Sequence, residues 1–246
     1  MFATTPQPFR AIFIALVIVW GAAFVVGMLI GKAKPDEYRR FSPVGKIVMM
    51  LAAITVALIG WLAFAADGPA ARFAPWIAAG LAFGLLGDIT LAGLLPVRKP
   101  LIPGMIAFAL GHLCYAVGIV IMGGLLGADS PGLTLTLVLA GALLGLSAWW
   151  LVVRPSEVSR VTRYGALIYG LLLFGVTALA LALTFDTGRM GILAVGLVLF
   201  LISDLLLISE ITAFFRFRLM GDVIWVIYST GQLLIGFAVL AAASLL

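Results

Sequence analysis

Eight apolar runs, each about as long as a bilayer core is thick, dominate this 246-residue sequence. They fall at approximately 11–31, 44–66, 73–95, 101–124, 132–153, 162–184, 189–209 and 222–245. A helix of about 20 apolar residues crosses roughly 30 Å of hydrocarbon. In that medium every backbone N–H and C=O must find a partner within the protein. Runs of this length therefore predict one all-α domain, a polytopic membrane bundle of eight transmembrane helices. The first run is too long for a signal-peptide core and is followed by the charged stretch 32–40, so it is expected to stay as a helix.

Composition narrows the classes. The chain is 64% hydrophobic and 10% charged, with a mean hydropathy of +1.26. A soluble domain is nearer 45–50% apolar and about 25% charged. The short connections leave no room for a soluble domain. The net charge of +5 sits in loops between spans and is no nucleic-acid footprint. A single cysteine, Cys114, and a single histidine, His112, rule out an intrachain disulfide and any multi-cysteine or His-cluster metal site. No metal is expected.

Lys and Arg set an orientation. Twelve lie after spans one, three, five and seven: Lys32, Lys34, Arg39, Arg40, Lys46, Arg98, Lys99, Arg154, Arg160, Arg163, Arg216 and Arg218. Only Arg10, Arg72 and Arg189 lie on the other side. The positive-inside rule then predicts that the first set is cytoplasmic and that both termini are outside.

Two carboxylates interrupt the apolar runs, Asp88 in span three and Asp204 in span seven, each followed three residues on by Leu91 or Leu207. An acid at bilayer depth costs about 3 kcal/mol on insertion scales, so it marks a functional site by default. At 1.5 Å per residue Asp88 is expected about 10 Å from the inner end of its span, and Asp204 at a similar or slightly smaller depth. His112 and Tyr115 on span four, Tyr169 on span six, and Tyr228 and Gln232 on span eight fall in the same half. Lys46 opens span two at the boundary, where it also suits a snorkelling anchor. Glu210 and Asp222, at span ends, read as solvated caps.

Spacing adds faces. Gly80, Gly84 and Asp88 recur every four residues, so a small-residue face carries the acid and admits a neighbouring helix. His112 with Tyr115, and Tyr228 with Gln232, each project from one face. Asp88 and Asp204 are 116 residues apart, and the same offset takes His112 to Tyr228. That offset suggests two four-helix halves in tandem, related by an axis along the membrane normal.

A pair of carboxyl groups that shares a proton can act as acid and base together. Such a pair suits a reaction begun by protonating a lipid-dissolved substrate, and it suits proton-coupled transport of a small or lipidic solute equally well. An intramembrane aspartyl protease also uses two buried acids, but its Gly-x-Gly-Asp signature would need glycine where Leu86 stands.

These residues also carry a resemblance. Gly87-Asp88-x-x-Leu91, Gly111-His112-x-x-Tyr115, Phe200-Leu201-Ile202-Ser203-Asp204-x-x-Leu207 and Tyr228-x-x-x-Gln232-x-x-Ile235 resemble, in order and span, the motifs of the YhhN-like lysoplasmalogenase family. Lys46 is similar to that family's lysine, with Ile47 where a proline usually follows, and Tyr169 to its span-six tyrosine. The likeness runs from about Lys46 to Ile235. It implies an integral membrane ether hydrolase, expected in a bacterial inner membrane, and the topology above puts its cavity toward the cytoplasmic leaflet. The substrate would be a lysoplasmalogen, a single-chain phospholipid whose chain is joined by a vinyl ether. The products would be a fatty aldehyde and glycerophosphoethanolamine or glycerophosphocholine. Catalytic roles would fall to Asp88, Asp204 and His112, and substrate binding to Lys46, Tyr115, Tyr169, Tyr228 and Gln232. Neither a metal nor an organic cofactor is implied, and the expected partners are the lysophospholipid and the surrounding membrane lipid, with no nucleic acid and no obligate protein partner.

Overall fold

The computed structural model describes residues 5–31 and 41–246. Among these the chain is entirely helical: α1 (Gln7–Ile30), α2 (Pro43–Gly60), α3 (Ala74–Leu91), α4 (Leu101–Leu126), α5 (Pro131–Ala148), α6 (Arg160–Thr187), α7 (Gly191–Ile211) and α8 (Met220–Leu245). Short π-helical turns extend α2 (Trp61–Ala65) and α5 (Trp149–Val153), and a 3₁₀ turn (Pro69–Arg72) leads into α3. All eight α-helices, with these extensions, are long and apolar enough to cross a membrane. Prolines in the first turns of α1, α2, α3 and α5 start helices where a backbone N–H would be unpaired anyway. The Ser159 hydroxyl accepts from the Thr162 N–H at 3.1 Å and caps α6.

Helix neighbours repeat with a shift of four. α1 packs on α2, α2 on α3 and α3 on α4; α5 packs on α6, α6 on α7 and α7 on α8. Across the halves α2 packs on α8, and the counterpart of that contact is α6 on α4. The tightest crossings obey the 116-residue offset as well. Gly80 of α3 receives the Tyr115 ring of α4, and Gly196 of α7 receives Gly231 of α8. A Cβ at Gly196 would lie 2.8 Å from the Gly231 carbonyl oxygen, so the two backbones touch. Only glycine permits that approach.

The two ends of the bundle differ. Around Phe13, Phe73, Ile77, Leu81, Met122, Leu193 and Leu197, all fully buried, the interior is close-packed and apolar. Toward the end that carries Lys46, the core turns aromatic, with Phe41, Phe108, Phe200, Trp225 and Tyr228. That half is hollow.

Three sequence expectations change. Helix α3 stops at Leu91 rather than near Leu95, because Gly93 adopts φ +71° and closes a Schellman turn. In it the Leu94 N–H donates to Ile89 O at 3.2 Å and the Gly93 N–H to Thr90 O at 3.0 Å. Asp88 thus lies in the last turn of its helix, about 5 Å from the end, whereas Asp204 is about 10 Å from the end of α7. Asp222 is no solvated cap: it is buried, and its Oδ1 accepts from the Phe41 N–H at 2.9 Å. Glu210 is partly buried and lines a cavity. Lys32, Lys34, Arg39 and Arg40, four of the twelve cations behind the orientation argument, lie outside the described residues.

Candidate active site

Two chambers occupy the hollow half. The first, about 250 Å³, is the more polar and is formed where α2, α3, α4, α7 and α8 meet. Lys46, Asp88, Ser203, Asp204, Glu210, Trp225 and Tyr228 line it. One ammonium and three carboxyl groups therefore share a small volume. The Lys46 ammonium stands 4.8 Å from the centroid of the Trp225 ring, whose indole N–H donates to Met49 Sδ at 3.3 Å. A cation over an aromatic face is held by the ring quadrupole.

The second chamber, about 140 Å³, lies between α4, α5, α6 and α7, and its walls are almost wholly apolar. It shares Leu91, Leu101, Phe108, Asp204, Leu207 and Ile211 with the first. Asp204 is the one ionisable residue common to both. Asp204 borders both chambers.

Each aspartate is held by a tyrosine. The Tyr228 hydroxyl donates to Asp88 Oδ2 at 2.9 Å, and the Tyr169 hydroxyl donates to Asp204 Oδ2. Behind Tyr228 the bonds continue: Gln232 Nε2 donates to the Tyr228 oxygen at 3.0 Å, and the Tyr115 hydroxyl donates to Gln232 Oε1 at 2.9 Å. The polarity is consistent throughout. Tyr115 feeds Gln232, Gln232 feeds Tyr228, and Tyr228 keeps its proton for Asp88. Such a chain fixes carboxyl orientation, because each hydroxyl has one donor and is already committed.

The YhhN family model matches residues 41–239. The chain belongs to the YhhN family. No curated protein and no solved structure matches it. The YhhN match begins at Phe41, the residue tied to Asp222, and takes in α2 to α7 with most of α8, leaving α1 outside.

Within this YhhN frame the residues singled out from sequence separate into three positions. Lys46, Asp88, Asp204 and Tyr228 line the polar chamber, and Tyr169 lines the apolar one beside Asp204. Tyr115 and Gln232 line neither and act through Tyr228. His112 also lines neither. It is buried, its Nδ1–H donates to Phe108 O at 2.9 Å, and its ring meets Phe200 edge-on at 4.5 Å between centroids. With Nδ1 protonated by that bond, Nε2 presents a lone pair, and it has no hydrogen-bond partner. Glu210, expected from sequence to be a solvated cap, and Trp225, which the sequence did not single out, both line the polar chamber. Helical spacing pointed to both: Ser203, Leu207 and Glu210 share a face, and Trp225 stands three residues before Tyr228. Among the described residues no three His, Cys, Asp or Glu side chains form a set able to hold a metal ion.

Proposed function

We propose that this protein is a lysoplasmalogenase-like hydrolase that cleaves the vinyl ether of single-chain phospholipids from within the membrane. The observation that carries the reading is the position of Asp204, shared by a polar chamber that contains Asp88 and Lys46 and by an apolar chamber. A lysolipid has the same division, with a charged headgroup, a reactive ether and a hydrocarbon chain in that order. The chambers open toward the cytoplasmic leaflet, with both termini outside.

The chemistry needs one acid, one base and one water. A protonated carboxyl transfers its proton to the chain-side carbon of the C=C–O unit, and the alkene electrons become the new C–H bond. The adjacent carbon becomes an oxocarbenium ion, stabilised by the other, ionised carboxylate. Water adds to that carbon and gives a proton to this carboxylate, as paired carboxylates direct water in glycoside hydrolysis. The resulting hemiacetal collapses: its O–H proton is removed, the carbon–oxygen bond to glycerol breaks, and the glycerol oxygen takes up a proton. Fatty aldehyde and glycerophosphodiester leave. Tyr228 and Tyr169 orient the two acids, Lys46 pairs with the phosphate as a point charge, and His112 positions the aromatic wall behind them.

The test uses purified protein, a lysoplasmalogen and its saturated ether analogue. Aldehyde should appear from the first alone. Asp88→Asn and Asp204→Asn should each lower turnover by about 10²–10⁴, the range of general acid–base catalysis, with folding retained. The repeated halves favour one other reading, a proton-coupled transporter. It predicts pH-driven uptake into vesicles and no aldehyde.

A further inference from the structure

We infer that the apolar chamber is the binding site for the substrate's one hydrocarbon chain, and that Gly170 and Phe174 on α6 set the longest chain it accepts. The inference rests on the proposed reading of the polar chamber as the headgroup and reaction site.

The lining of α6 shows the direction of the chamber. Thr162, Ala166, Tyr169, Gly170, Leu173 and Phe174 recur at helical spacing and form one wall. From Thr162 to Phe174 this face extends about 18 Å along the helix. From Tyr169, whose hydroxyl donates to Asp204, to Phe174 the same face extends about 8 Å. The wall is polar at Thr162, at the start of α6, and at Tyr169, which donates to Asp204, and apolar at Leu173 and Phe174. A chain whose ether lies at Asp204 would run along it.

Phe174 narrows the deep end. The Phe174 ring lies against Gly145 of α5, where an added Cβ would come within 3.1 Å of it. Gly170 has the opposite character. A Cβ built there would meet nothing within 4 Å, so its missing side chain is part of the chamber's free volume. The near side is rigid, because the Trp149 indole N–H donates to Arg163 O at 2.8 Å and ties the π turn of α5 to α6. π turns recur at functional sites because they displace side chains from the regular helical register. Here the turn places Trp149, Val152 and Val153 along the chamber.

The test does not depend on turnover. The full-length protein in nanodiscs is irradiated with a saturated single-chain ether phospholipid that carries a diazirine at the chain terminus. Mass spectrometry should place the label at Leu173, Phe174 and the α5 residues around Gly145. A leucine at 170 displaces about two methylenes of chain, so Gly170→Leu should reduce that label about tenfold. Gly170→Ala should give a smaller drop, which guards against a folding defect in the larger variant. Phe174→Ala should extend labelling to longer probes. Label confined to lipid-facing residues, label indifferent to both Gly170 variants, or equal labelling by a two-chain probe would each overturn the inference. If the wild type releases no aldehyde but the chamber is labelled as described, the hydrolase reading fails and the chain site stands.

Discussion

Tyr228 and Asp88, 140 residues apart in sequence, meet through a 2.9 Å hydrogen bond in which the phenol is the donor. The same hydroxyl accepts from Gln232, so it has no second proton to give and no freedom to turn away. Removing it leaves a carboxyl without its guide and an amide without its acceptor.

Tyr228→Phe therefore separates orientation from architecture. The ring remains among Phe108, Phe200 and Trp225, each of which it meets at 5.1–6.1 Å between centroids. Interhelical hydrogen bonds in membranes average about 0.6 kcal/mol, so the thermal midpoint should move little. Turnover should fall at least about tenfold with KM nearly unchanged, the mark of an interaction made in the transition state. A raised KM at full turnover would assign Tyr228 to substrate binding instead.

Lys46 should behave in the opposite way. Charge-assisted bonds contribute about 1.5–3 kcal/mol, so Lys46→Met should raise KM for a phosphate-bearing substrate by about tenfold or more. The comparison substrate is the same alkenyl glycerol without phosphate. Wild type and Lys46→Met should process it alike, and a loss on both substrates would place the lysine in the chemistry.

Gly196→Ala tests the backbone contact that joins α7 to α8. The new methyl would fall 2.8 Å from the Gly231 carbonyl oxygen, and backbone atoms have little freedom to move aside. Overpacking of this kind costs about 1–3 kcal/mol and should lower the thermal midpoint in detergent. Gly175→Ala is the control, since a Cβ there meets nothing within 4 Å. It should be neutral or slightly stabilising, because alanine favours helix by up to about 1 kcal/mol.

Asp222→Ala should destabilise the hollow end. It leaves the Phe41 N–H without its buried acceptor, a loss of about 1–3 kcal/mol. Asp222→Asn keeps a carbonyl oxygen in place and should restore much of the midpoint. If the two variants melt together, the bond contributes nothing measurable.

Much of this molecule was legible in the chain because lipid is a severe solvent. It forces unbroken apolar runs, and the eight helices lie where those runs lie. It also makes Asp88 and Asp204 conspicuous, since a carboxyl is rare against so uniform a background. The helix ends were harder to read. Gly93, with Pro96 close behind it, carried the stop signal for α3, but the apolar Ala92, Leu94 and Leu95 around it read as more membrane span. Glu210 and Asp222 were hidden for a related reason. A carboxyl at a span boundary has water nearby in most folds, and only the packing of α7, α8 and Phe41 shows that these two face inward. The division into two chambers depends on gaps between helices, which no periodicity in one helix can reveal.

The packed half of the bundle has a bearing on the cell's energy supply. Where a membrane stores a proton gradient, a protein that handles protons inside it, as proposed here, is a candidate short circuit. The tyrosine–glutamine chain begins at Tyr115, and beyond it, toward the other face, stand Phe73, Ile77, Leu81, Met122, Leu193 and Leu197, without exposed surface or a polar side chain among them. That layer is an insulator. On the proposed reading, acid and water would reach the site from the hollow end alone, and the voltage across the membrane would be maintained.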